Sequence, residues 1–420
     1  MRTITLSQNQ QRRVEILIRL EAGKLTTSTA AELLGVSPRQ ARRLRARFAS
    51  EGMASVIHAN QGRSPANRTN PALVERILSL AGPTGPYHDC NVCHLVDLLA
   101  DEQLPIARST LDRLLRQAGL RGAQRAKAAA HRRRRERKAA AGMLLQLDAS
   151  PFAWLEGRAA KTALLGAVDD ATGRIVGLLL RPSEDQAGYF VLLRSIVAHY
   201  GLPLAIYHDR HTILHSPKEP TLDEELAGEL PLSQIQRLLG ELGIESILAY
   251  SPQAKGRVER LWGTLQDRLV KELRLAGIES LEAANAFLVG FVARYNRRFA
   301  KEPADTNPAW RALPEGFDWA YHFSARETRK VRVDHCVQWQ GQTLALQVKA
   351  SEPDLARSTV SVHPLPEGEV CVYAGRRRLV YRQVDEPKIK PALVALPPRR
   401  EDLPRPRPTA GQRAWLFGQR

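Results

Sequence analysis

The chain has 420 residues, 43% of them hydrophobic, with 62 Lys plus Arg against 44 Asp plus Glu and a formal net charge of +18. Its length predicts about three domains, its apolar content suffices to fold them, and its charge points to a polyanionic partner. No apolar run nears the roughly 20 residues that cross a bilayer, no signal-type segment opens the chain, and four cysteines make no disulfide framework at this length; membrane and disulfide-scaffold classes are excluded, and a reducing, cytoplasmic compartment is expected.

Residues 1–54 read as a helix-turn-helix DNA-binding domain. Val14, Ile16, Leu17 and Leu20 share one face of a first helix, Ser28 to Leu34 form a second, and Gly35-Val-Ser-Pro-Arg39 supplies the turn. Ser37 is the expected N-cap and Pro38 the first residue of a third helix. Its Arg39, Arg42 and Arg43 are candidate DNA contacts, with Arg45 and Arg47 behind them. Residues 55–69 have linker composition. Arg63, within Asn60-Gln-Gly-Arg-Ser-Pro-Ala-Asn67, is a candidate minor-groove contact, although a plain linker explains the segment more simply.

Residues 70–121 predict a second helical DNA-binding unit, with apolar spacing at Leu73, Ile77 and Leu80, from Val92 to Leu99, and at Leu111, Leu114 and Leu115. Ser109 to Arg116 reads as another recognition-type helix. His88, Cys90, Cys93 and His94 include two zinc-type ligand pairs, but small buried residues near a helix start are the simpler reading. Residues 122–141 form a basic linker helix in which Arg132, Arg133, Arg134 and Arg135 are candidate phosphate contacts.

Residues 142–300 alternate elements in the α/β manner. Strands are predicted at Leu144 to Asp148, Lys161 to Val168 and Arg174 to Leu180, with Asp169-Asp170-Ala-Thr-Gly173 as a tight turn. A helix from Gln186 to Tyr200, a strand from Leu204 to His208, a helix from Ser233 to Leu242, a strand from Ser246 to Ala249 and a helix bearing Glu259 follow. That is the order of a ribonuclease-H-like fold. A connector at 301–328 leads to a small β-barrel at 329–385, with strands at Val331 to Val333, Cys336 to Trp339, Thr343 to Leu346, Thr359 to Val362, Val370 to Tyr373 and Arg378 to Tyr381. A Pro/Arg-rich tail occupies 386–420.

Three carboxylates stand at the ends of apolar strands or within an amphipathic helix: Asp148, Asp209 and Glu259. Hard oxygen ligands on rigid elements suit Mg²⁺ or Mn²⁺, and two ions about 4 Å apart serve an in-line displacement at phosphorus. Asp148 would bridge both ions, Asp209 would hold one and Glu259 the other, with Lys255, Arg257 and Arg260 as flanking phosphate contacts. Asp169 and Asp170 compete on residue type, but their context is turn chemistry. Glu156, Glu184, Asp185, Asp223, Glu224 and Glu225 are expected to face solvent. Trp262, Trp310 and Trp319 have rings able to stack on bases, and packing is their simpler role. A Gly-rich triphosphate cradle is absent, so ATP is not an expected partner.

Four segments sharpen this: Asp148-Ala-Ser-Pro-Phe-Ala-Trp-Leu-Glu-Gly-Arg158, Gly166-Ala-Val-Asp-Asp-Ala-Thr-Gly173, Tyr207-His-Asp-Arg-His211 and Ser251-Pro-Gln-Ala-Lys-Gly-Arg-Val-Glu-Arg-Leu-Trp262. Together they resemble the DDE transposases of the ISNCY insertion-sequence family, within the integrase-core superfamily. The likeness continues through Thr264-Leu-Gln-Asp-Arg-Leu-Val270 and Tyr295-Asn296, and departs at Ala149, where many relatives carry glycine. It implies that Asp148, Asp209 and Glu259 are a catalytic triad binding Mg²⁺ or Mn²⁺, two ions per site. It also implies a bacterial, nucleoid-associated enzyme that binds terminal inverted repeats, cuts 3′ ends and joins them to target DNA as a dimer or larger assembly. The competing readings are a catalytically silent DNA-binding regulator derived from such an enzyme, and a nuclease of the same fold acting on RNA in a hybrid.

Overall fold

The computed structural model describes residues 6–58, 68–121, 136–221, 225–226, 231–249, 256–348 and 352–384. Arg63, Arg132, Arg133, Arg134, Arg135 and Lys255 lie outside the described residues, as do Asp223, Glu224, most of the basic linker helix and the Pro/Arg-rich tail. Two compact units divide the chain, residues 1–88 with 95–123, and residues 89–94 with 124–420.

In the first unit, helices α1 (Gln8–Glu21), α2 (Thr27–Leu34) and α3 (Pro38–Glu51) surround Val14, Leu17, Leu20, Ala30 and Phe48. Local chemistry sets their ends: Ser7 and Gln10 close a capping box on α1, Gly35 terminates α2 in the left-handed region at φ 63°, and the Ser37 hydroxyl accepts the Gln40 N–H with Pro38 opening α3. The apolar stripe of α3 is narrow, so Arg39, Arg42 and Arg43 are all exposed. Helices α4 (Pro71–Ala81), α5 (Val92–Asp101) and α6 (Arg108–Gln117) follow, burying Ile77, Leu80, Leu95, Leu99, Leu111 and Leu115.

The second unit is built on a five-stranded sheet of β1 (Leu145–Phe152), β2 (Thr162–Asp169), β3 (Ile175–Arg181), β4 (Ala205–His208) and β5 (Glu245–Leu248), in the order β3-β2-β1-β4-β5. The first three strands pair antiparallel, and β4 and β5 join them in parallel. Parallel pairing requires crossovers, and helices α7 (Gln186–Tyr200) and α8 (Gln234–Glu241) supply them. Helices α9 (Gly256–Leu275) and α10 (Leu281–Phe299) come last. Strand alternation divides the interior in two. Leu145, Leu147, Ala163 and Leu165 meet α7 and α8 on one face, while Leu164, Val168, Ile175 and Leu180 meet α9 and α10 on the other. Every residue of β2 is buried as a result.

The edge of this sheet is closed by side chains. Asn285 and Asn296, both on α10, each accept a backbone N–H of β3 and donate to the carbonyl of the same residue, Leu180 and Ile175 respectively, at 2.8–3.0 Å. The amides thus satisfy groups that an open edge would leave unpaired. The connector is tied down as well: Leu202 and Arg311 exchange backbone hydrogen bonds, and Trp310 stacks on Tyr200 over Gly142, where a Cβ would stand 2.8 Å from the indole.

Beyond α11 (Trp319–His322), strands β6 (Glu327–Lys330), β7 (Cys336–Trp339), β8 (Gln342–Gln347), β9 (Thr359–Pro364), β10 (Val370–Ala374) and β11 (Arg377–Val384) form one antiparallel sheet in the order β6-β9-β10-β11-β8-β7. It curls nearly into a barrel around Val337, Leu344, Val362 and Val372, with β6 and β7 as its edges. The strand expected at Val331 to Val333 is displaced. The charged run Glu327–Lys330 pairs with β9 as an edge strand, and Val331 turns into the core. No helix among the described residues is long and apolar enough to cross a membrane.

Candidate active site

Asp148 lies in the middle of β1, not at the strand end expected from its sequence, because pairing with β2 continues to Phe152. The parallel partner β4 pairs only at Leu145↔Ile206 and Gln146↔Tyr207. Extending that register by two residues brings Asp148 level with Asp209, just past the end of β4. Both aspartates are half-buried. Buried His208 bonds Ser246 Oγ on β5 through Nε2 and the Asp209 carbonyl through Nδ1, and the Asp209 carboxylate accepts the His211 N–H at 3.0 Å. The chain leaving β4 is therefore oriented from both sides.

Glu259 is exposed on the first turn of α9, three residues before Trp262 and so on the same side of the helix. The Trp262 indole donates to Asp148 Oδ2 at 2.9 Å. Among the described residues no three His, Cys, Asp or Glu side chains are grouped to hold a metal, so Asp148, Asp209 and Glu259 form no such group here.

Asp169 and Asp170 are buried and saturated with donors. Asp169 accepts from Gly142 N, Thr172 N and Thr172 Oγ1 at 2.6–2.9 Å; Asp170 accepts from Lys138 N, Gln146 Nε2 and Arg257 Nη1 at 2.8–2.9 Å. Carboxylates so occupied brace the fold. Arg257, a candidate phosphate contact by sequence, is turned inward on Asp170 with only 11% of its side chain exposed, whereas Arg260 is exposed.

Three residues expected in solvent, Glu184, Asp185 and Glu156, are instead engaged by protein partners. Glu184 is half-buried and accepts the phenol of fully buried Tyr189 at 2.7 Å, with His211 Nδ1 at 3.7 Å. Burial, Glu184, and the charges of Asp148 and Asp209 all push the Tyr189 phenol up, so it stays a donor facing the acidic end of the sheet. Asp185 caps α7 and pairs with Arg181. A polar residue just before an amphipathic helix was the only signal for either. Glu156 likewise meets Arg274 at 3.1 Å. Trp262, Trp310 and Trp319 pack against the cores. Cys90 and Cys93 are free thiols, and burial pushes Cys90 up to about 11.

A family model described as "Winged helix-turn helix" matches residues 13–74. The protein y4bF of Sinorhizobium fredii (strain NBRC 101917 / NGR234), a transposase by name, is 34% identical over 92% of this chain and 83% of its own length. The transposase for insertion sequence IS1202 of Streptococcus pneumoniae is 28% identical over 70% of this chain and 69% of its own. Similar solved structures include the catalytic core domain of BIV integrase, at 22% identity over 34% of this chain and 79% of that one with a TM-score of 0.26. A simian T-cell lymphotropic virus intasome chain is 15% identical over 68% of this chain and 98% of that one, with a TM-score of 0.31. Identity at the level of y4bF, sustained along nearly the whole chain, decides the family: the chain belongs to the transposases.

Proposed function

We propose that the chain is a metal-dependent polynucleotidyl transferase that binds the terminal inverted repeats of its element, cuts at the 3′ ends and joins them to target DNA. The observation that carries the reading is the β1/β4 register, which runs two half-buried aspartates side by side beside a helix whose indole reaches the first of them. Mg²⁺ or Mn²⁺ held by Asp148, Asp209 and Glu259 would supply Lewis-acid stabilisation and an activated oxygen nucleophile at phosphorus. Glu259 is exposed on the first turn of its helix, where its side chain can change rotamer.

In cleavage, water forms a new P–O bond as the P–O3′ bond breaks, leaving a free 3′ hydroxyl. In joining, that hydroxyl forms the bond to a target phosphate and the target's own 3′ oxygen leaves. Neither step needs a nucleophilic side chain. Arg39, Arg42 and Arg43 on α3 would hold the end DNA, and Arg260 a phosphate near the carboxylates. That Asp148, Asp209 and Glu259 form no metal-holding group among the described residues is what favours the second reading, a catalytically silent DNA-binding regulator.

The test uses labelled duplexes carrying the inverted repeats expected to bracket the gene, with Mg²⁺ or Mn²⁺, and the variants Asp148→Ala, Asp209→Ala and Glu259→Ala. Metal-dependent cleavage and joining by the wild type, lost in all three, is the expected result. Full activity in any variant removes that residue from the site. A wild type that binds ends and never cleaves them establishes the regulator.

A further inference from the structure

The face of β1 toward α9 is polar at three successive positions, Gln146, Asp148 and Ser150, and each is bonded to α9. Val258 N donates to Gln146 Oε1 at 3.3 Å, Trp262 Nε1 to Asp148 Oδ2 at 2.9 Å, and Gln266 Nε2 to Ser150 Oγ at 3.1 Å. Steps of four along the helix thus match steps of two along the strand. Four helical residues rise about 6.0 Å and two strand residues about 6.7 Å, so the mismatch accumulated over three rungs is small beside one helical turn.

Neighbouring residues hold the rungs in place. Asp170 takes the Gln146 amide nitrogen, which turns Oε1 toward Val258 N, and the same carboxylate takes Arg257 from the first turn of α9. Gly166 pairs with Asp148 across β2, and a Cβ there would stand 2.7 Å from Trp262 Cη2 and 2.9 Å from Leu178 Cδ2. The missing side chain is the clearance through which the indole reaches the aspartate. Glu259 sits between the first two rungs.

We propose that this helix–strand ladder is the register device of the carboxylate site, with Trp262 a positioning residue that orients Asp148 through Oδ2 while the Gln146 and Gln266 rungs fix the Glu259 backbone relative to it. The inference rests on the reading of Asp148 and Glu259 as metal ligands. A slide of α9 by one turn, about 5.4 Å, breaks every rung at once. Donors behind a ligating carboxylate set its orientation, and their loss lowers metal affinity or activity by about 10–100-fold.

The test is Trp262→Phe in the full chain, which keeps an aromatic ring beside Gly166 and removes the N–H. Mn²⁺ affinity is read by calorimetry, alongside end-DNA affinity, melting temperature and single-turnover cleavage. Mn²⁺ affinity is expected to fall about 10–100-fold with end-DNA affinity unchanged, and cleavage to recover in part as metal is raised. Gly166→Ala, which displaces the indole without altering it, is expected to repeat the metal defect. Gln266→Leu is expected to give a smaller one and stands in should either of the others fail to fold. Wild-type Mn²⁺ affinity in the folded variants, with Asp148→Asn abolishing it, overturns the ladder and leaves the carboxylate assignment standing. Wild-type affinity in Asp148→Asn overturns the assignment itself, and the ladder's role with it.

Discussion

The turn between β2 and β3 and the place where the end of β4 runs alongside the middle of β1 each present two aspartates, and they use them in opposite ways. Asp169 and Asp170 are buried beneath backbone amides, a hydroxyl, an amide side chain and a guanidinium. Asp148 and Asp209 are half-buried at the open end of the sheet, where Tyr189 feels both of their charges. Residue type and an apolar strand beforehand are common to both pairs. A carboxylate saturated with donors stabilises a fold, while one that keeps a solvated edge is available to a metal or substrate. The arginines divide the same way, with Arg257 committed to Asp170 and Arg42 and Arg43 displayed on α3.

The largest effect that sharpens this contrast is expected from Asp170→Ala, which removes a buried acceptor shared by Lys138 N, Gln146 and Arg257. Urea unfolding should show a loss of about 3–5 kcal/mol. Asp148→Ala should lose about 1 kcal/mol for the hydrogen bond from Trp262, while removing all cleavage. Equal destabilisation by the two would break the comparison. Among the arginines, Arg42→Ala and Arg43→Ala should leave the melting temperature unchanged and each reduce the salt slope of DNA binding by about one. An unchanged slope would take α3 off the phosphates.

Glu241 gives the smallest effect and a pH signature. Burial alone would raise its carboxyl, but hydrogen bonds from His322 and Arg326 and the charges of Arg237 and Arg326 hold it at about 2. Because the folded value lies below the ordinary 4.5, its contribution is present above about pH 4.5 and is lost as pH falls toward 2. Acid unfolding should be less steep in that interval for Glu241→Gln. The same slope in both proteins would show that the cluster contributes nothing there.

The α/β order, the capped helices of the first unit and the turn role of Asp169 and Asp170 were legible because each is written in local signals: alternation, Ser-Pro at a helix start, Asp-Asp-Ala-Thr-Gly at a hairpin. The inward turn of Arg257 was not, since its partner lies 87 residues away and nothing beside Arg257 distinguishes it from Arg260. Gln146, Asp148 and Ser150 alternate with Leu145, Leu147 and Ala149 as on a half-solvated strand, and only the arrival of α9 over them makes that polar face interior. Glu327–Lys330 lacks the apolar alternation of a strand because an edge needs little of it. Asp148 beside Asp209 depends on a parallel register between segments some 60 residues apart, and no local pattern encodes it.

Asp148→Asn bears most directly on the division between bracing and reactive carboxylates, measured for single-turnover joining of end DNA and for its unfolding midpoint in the same preparation. No joined product is expected at any Mg²⁺ or Mn²⁺ concentration, with a midpoint close to wild type. Joined product at the wild-type rate, or a collapsed midpoint like that expected of Asp170→Ala, would contradict it.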